Sequence, residues 1–188
     1  MFKNLNEKGF TLIELLVSVS IILMLSSVFL VNYRGGDTMA RLTMSAQKLA
    51  SDIRMAQNNT LGSVEYNTVI PPGGWGVHFD RVSNDKGYLL FADLDEDMEY
   101  DTGTGEEADT QYGGRIVELP IGISIKSILV NAVPVNVIDI SFLPPDPITN
   151  ILNGSATSTK VTIVLEENEN NAEKEIKVNY FGLIEVIE

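Results

Sequence analysis

An apolar run as long as a membrane crossing begins almost at the start of the chain, with one acid inside its first turn. From Phe10 to Val31 nearly every position is Leu, Ile, Val, Met or Phe, interrupted only by Thr11, Glu14 and four serines. About 20 apolar residues suffice to cross a bilayer as a helix. A carboxylate held in hydrocarbon costs on the order of 2–3 kcal/mol on insertion scales. Glu14 therefore needs a compensating partner. The nearest candidate is a free amine, created by cutting the chain between Gly9 and Phe10. Lys3 and Lys8 lie ahead of the run and favour a cytoplasmic N-terminus, with the remainder on the far side of the membrane.

Two simpler readings fall short. A secretory signal peptide has an apolar stretch of about 7–15 residues before a small-residue cut site. This run is longer, and Ser26-Ser27-Val28 is a poor cut site with more hydrophobic chain after it. A plain single-span anchor explains the length but leaves Glu14 without a reason.

The segment Lys8-Gly9-Phe10-Thr11-Leu12-Ile13-Glu14-Leu15-Leu16 resembles the class III signal of type IV pilins and type II secretion pseudopilins. The resemblance implies that a membrane-embedded prepilin peptidase cuts after Gly9 and N-methylates Phe10 as the mature N-terminus. It implies that Glu14 meets the N-terminal amine of a neighbouring subunit. Such a contact is heterologous, and repeated without closure it generates a helical filament. The implied partners are other pilin or pseudopilin subunits, the peptidase, an inner-membrane assembly platform and lipid. The implied place is the inner or plasma membrane, in a single pass, and then the filament.

Charge and composition narrow the rest. The formal net charge is −13, which argues against a direct nucleic-acid partner, because phosphate binding needs clustered Lys and Arg. The chain has no cysteine, so no disulfide can fasten a loop of the head.

The sequence divides into a leader (1–9), a membrane and assembly half of a helix (10–33), an amphipathic half (34–62) and a β-rich extracytoplasmic head (63–188). Leu42, Ala46, Leu49, Ile53 and Ala56 recur at spacings of four and three, one apolar stripe. Lys48, Asp52 and Arg54 fall on the other faces. Gly35-Gly36 predicts a kink or melted turn between the halves, since each glycine weakens a helix by about 1 kcal/mol relative to alanine. Leu61-Gly62 marks the helix end. Strands are expected at Trp75–Phe79 and Gly87–Ala92 as a hairpin, at Arg115–Leu119 and Ile121–Val130 as a second pair, and at Val135–Leu143. Further strands are expected at Lys160–Leu165 and Glu175–Tyr180, with a last turn at Phe181-Gly182-Leu183-Ile184. One long helix followed by strands predicts an α+β class, the helix packed on a small antiparallel sheet or sandwich. Ser45–Asn58, Trp75–Asp80, Tyr88–Asp95 and Phe181–Ile184 resemble the GspH/FimT-type minor pseudopilins and minor pilins.

Asp93, Asp95, Asp97, Glu99 and Asp101 alternate with other residues, a pattern of oxygen donors that suits calcium. Glu106, Glu107 and Asp109 are near enough in sequence to add ligands. Against this, Met98 and Thr104 stand where a helix–loop–helix calcium loop needs a glycine and a closing acid. An acidic loop tip that keeps a sheet edge from pairing is the plainer reading, and a membrane-anchored calcium-dependent binding module is the alternative function. His78 is the single histidine and is expected to face solvent; alone, without cysteine, it cannot build a usual zinc site. No nucleophile-elbow or phosphate-loop spacing is present, so nothing in the pattern supports catalysis.

Overall fold

The computed structural model describes residues 9–100, 116–144, 148–153 and 156–187, with the backbone alone at 30–37, 153 and 156–157. The fold is α+β. Helix α1 runs from Leu12 to Leu61, and the chain divides into two compact units, Met1–Thr38 and Met39–Glu188.

In the first unit the described apolar side chains of the helix are uncovered. Its large apolar side chains between Leu12 and Phe29 are exposed from 46% at Val19 to 82% at Leu12. Greasy residues on every face mark a helix whose solvent is lipid or other helices. The melted turn expected at Gly35-Gly36 is absent, because the backbone stays helical through Leu61. Two glycines cost about 2 kcal/mol together. Ending one helix and nucleating a second would sacrifice hydrogen bonds and pay an unfavourable initiation step, so the ladder continues.

In the second unit the same helix becomes one wall of a core. Leu42, Ala46, Leu49, Ile53 and Ala56 are all fully buried, as the stripe predicted, and Ala50 joins them. Helix α1 ends at Gly62, whose N–H donates to the Asn58 carbonyl at 2.8 Å.

Among the described residues two antiparallel sheets complete the core. The first contains β1 (Gly74–Asp80), β2 (Gly87–Asp93) and β3 (Val117–Glu118). The second begins with β4 (Ile123–Val130) and β5 (Val133–Val135). The chain then returns to the first sheet through β6 (Val137–Leu143), β7 (Ile148–Asn153) and β8 (Ala156–Thr157). It closes the second sheet with β9 (Lys160–Glu167), β10 (Ala172–Asn179) and β11 (Ile184–Ile187). Strand order is β3-β2-β1-β6-β7-β8 in one sheet and β11-β10-β9-β4-β5 in the other. Phe79, Phe142, Ile140 and Leu90 from the first sheet join Ile125, Ile163, Ile176 and Val178 from the second in one hydrophobic cluster with the helix.

The β1–β2 and β9–β10 hairpins form as expected, and the Phe181–Leu183 turn leads into the last strand. Three expectations differ. The stretch Val135–Leu143 is two strands in different sheets, broken at Asn136, whose carbonyl accepts the Arg81 N–H at 2.9 Å. The segments before and after Pro120 do not pair with each other: β3 adds to β2, and β4 pairs with β9 and β5. Strands β7 and β8, which follow Pro144-Pro145-Asp146-Pro147, were not expected from the sequence.

Asp52 is the other surprise, since it is 5% exposed rather than solvated. The Tyr88 hydroxyl donates to its Oδ2 at 2.6 Å, and Lys48 Nζ meets the same oxygen at 2.7 Å. A buried carboxylate satisfied in this way ties the helix to β2. Thr60 Oγ1 accepts the Trp75 N–H at 2.9 Å, and Arg54 donates to the Ile184 carbonyl at 2.7 Å. The helix is thus pinned to both sheets by side chains that a pattern of apolar residues cannot reveal.

Candidate functional site

The N-terminal end of the helix is built by Thr11 and Glu14. The Glu14 Oε2 accepts the Thr11 N–H and the Thr11 hydroxyl, both at 2.9 Å. In return, the Glu14 N–H donates to Thr11 Oγ1 at 3.3 Å. This reciprocal pair is a capping box, which threonine followed three residues later by glutamate supplies. It answers part of the question raised by an acid in an apolar run. The carboxylate sits in the first turn, where the helix dipole favours negative charge and unpaired N–H groups need acceptors. Glu14 therefore has a local partner in addition to any amine from another chain. The sequence reading missed Thr11, although the Thr-Leu-Ile-Glu spacing displays the signal.

Gly9 and Phe10 precede the cap in non-helical, exposed chain. Phe10 is 85% exposed. The window Leu12–Phe29 is long and apolar enough to cross a membrane, and none of it is buried.

The acidic loop follows β2. Asp93, Asp95 and Asp97 each place a carboxylate oxygen within 4.8 Å of the other two. Glu99 is not one of that trio: its N–H donates to Asp97 Oδ1 at 2.9 Å. Asp101, with Glu106, Glu107 and Asp109, lies outside the described residues. Asp93 organises the loop, accepting the Glu96 N–H at 2.7 Å and the Met98 N–H at 2.9 Å. Its carboxyl is pushed above the ordinary value, first by burial and further by the charges of Asp97 and Asp95. A side chain at Gly73 would collide with that carboxylate, at 1.9 Å from a Cβ. Met98 takes a φ of 71°, so the sharp turn that glycine would favour is made without one. Three clustered carboxylates, one of them desolvated, have the chemistry to hold a hard cation.

His78 does not face open solvent. It lies on the outer face of the first sheet, its Nδ1 2.7 Å from Asp139 Oδ1 on β6, with its side chain 18% exposed. The cross-strand register that aligns His78 with Asp139 is not visible in one sequence.

Residues 4–30 match the family model for the prokaryotic N-terminal methylation motif. No curated protein and no solved structure matches the chain. The methylation motif is the signature of type IV pilins and pseudopilins, which prepilin peptidase processes and which assemble with other pilin subunits. With its single apolar N-terminal helix, this chain carries that signature.

Proposed function

We propose that the protein is a structural subunit, in the minor class, of a type II secretion pseudopilus or a type IV pilus, and not an enzyme. The leader is cut after Gly9, Phe10 becomes the methylated N-terminus, and the extracytoplasmic head presents an interaction surface on the filament. The observation that carries this reading is one acid, Glu14, at the capped end of an apolar segment, Leu12–Phe29, none of which is buried. Membrane helices associate by close packing and satisfied polar groups rather than by the hydrophobic effect. An exposed carboxylate beside a neighbour's terminal amine supplies such a group. The GspH/FimT-type assignment rests on the resemblance of the head segments. The assembly platform and lipid complete the partners.

The test is assembly. Glu14→Gln keeps the size of the side chain and an acceptor for Thr11 but removes the charge. Expression beside the cognate machine should give normal membrane insertion and loss of the subunit from sheared filaments. Normal incorporation of the variant would refute the charge-paired assembly.

A second reading concerns the loop. Asp93, Asp95 and Asp97 are close enough to share one ion, and calcium bound there would order a loop that no disulfide fastens. Calorimetric titration with calcium, compared with Asp95→Asn, tests it: no heat attributable to the loop rejects the ion.

A further inference from the structure

We propose that the outer face of the first sheet carries a binding site for a neutral, hydroxyl-rich ligand the size of a sugar ring, built around His78 and Tyr100. This site is independent of the filament reading and of the acidic trio.

A cavity of about 310 Å³ opens beside β1 and the β1–β2 turn, lined in part by His78, Asp80, Ser83, Asn84 and Tyr100. Ligand cavities run from about 300 to 1,000 Å³, so this one accommodates a single ring. The imidazole is fixed from behind. Asp139, whose side chain is 10% exposed, holds Nδ1 at 2.7 Å. Among the described residues Nε2 has no protein partner. A carboxylate that holds one ring nitrogen fixes the orientation of the imidazole and leaves the other nitrogen available to a ligand.

The wall chemistry selects the ligand class. Tyr100 packs its ring against His78, with centroids 4.9 Å apart, and against Phe91 at 5.7 Å. It offers an aromatic surface for an apolar ring face. Among the described lining residues the charged side chain is the Asp80 carboxylate, which would repel an anion. A wholly apolar ligand would strip water from His78, Asp80, Ser83 and Asn84 without replacing their hydrogen bonds, which is unfavourable. Asp80 is already held in the turn by the Ser83 hydroxyl at 2.6 Å and the Val82 N–H at 2.9 Å. It is therefore a placed acceptor rather than a mobile charge. Hydroxyl groups both donate and accept, so they match an imidazole nitrogen in either protonation state. A sugar ring combines those hydroxyl edges with an apolar C–H face.

The chain has one histidine, which makes the ring protons of His78 a single spectroscopic reporter. The full chain, in a detergent without a sugar headgroup, is titrated with glucose, galactose and N-acetylglucosamine, and with short oligosaccharides of each. The expected result is a saturable displacement of the His78 NMR signals by at least one of them, retained in Tyr100→Phe and abolished in Tyr100→Ala. Displacement by an oligosaccharide alone supports the same chemistry and assigns the ring to a polymer end. Absence of displacement by every probe overturns the proposal. So does displacement of equal size in Tyr100→Ala. Should Tyr100→Ala fail to fold, Asn84→Ala replaces it, with weakened binding expected and unchanged binding counting against the site.

Discussion

Leu23 and Phe142 are both large, apolar and in regular structure, yet their surroundings are opposite. Leu23 is 64% exposed in the N-terminal part of helix α1, and Phe142 is fully buried in the core of the head. The first belongs to a unit whose packing partners are other molecules, the second to a unit that supplies its own. The chain is therefore two design problems in sequence. The N-terminal part is specified by what a bilayer and a neighbouring subunit demand, and the head by what its own strands and helix can bury.

The comparison breaks if the two residues respond alike to truncation. Phe142→Ala should destabilise the head by about 3–5 kcal/mol through lost burial and a residual cavity. Leu23→Ala should leave head unfolding unchanged, because Leu23 is largely exposed and lies outside the head's hydrophobic cluster. Chemical denaturation followed by Trp75 fluorescence reads both. An equal loss in the two variants would mean that the units are not energetically separate.

A smaller effect probes the tie between helix and sheet. Tyr88→Phe removes the hydroxyl that meets Asp52 and leaves a buried carboxylate with one donor fewer, which should cost about 1–3 kcal/mol. The same denaturation measures it. A neutral result would show that water replaces the hydroxyl, and that Asp52 is not the internal clamp described above.

The smallest effects concern two acids of the first sheet that shift in opposite directions. Asp93 holds its proton more tightly than its ordinary value of 3.8, through burial first and then the neighbouring charges of Asp97 and Asp95. Its contribution to stability is fully present below the unfolded-chain value and is lost as pH rises through the folded one. Asp80 is held below 3.8, chiefly by the Ser83 hydroxyl and N–H. Its contribution is present above the unfolded value and lost as pH falls through the folded one. Stability measured against pH should therefore show wild type losing ground to Asp93→Asn as pH rises. Relative to Asp80→Asn, wild type should gain. Parallel curves for the two variants would contradict the opposed shifts.

What could be read in advance follows the same division. The methylation motif and the apolar run are contiguous in sequence and were legible, whereas the roles given to Gly9, Phe10 and Glu14 rest on the resemblance to the pilin signal. The helical stripe of Leu42 to Ala56 was equally legible, since its period is set by the helix itself. The roles of Asp52 and His78 were not. Each depends on a partner tens of residues away, Tyr88 in one case and Asp139 in the other, and strand register decides those meetings. The break of Val135–Leu143 at Asn136 was hidden for a related reason: β-branched residues run through both strands, so composition alone could not show where the chain changes sheets. The Thr11 cap is legible as well, because a threonine three residues ahead of a glutamate at a helix start has the capping-box spacing.

The most direct measurement is the mass and sequence of the mature N-terminus, taken from protein made in cells with an active prepilin peptidase. The account predicts a chain that begins at N-methylated Phe10. A chain that retains Met1, or one cut beyond Val31, would contradict it.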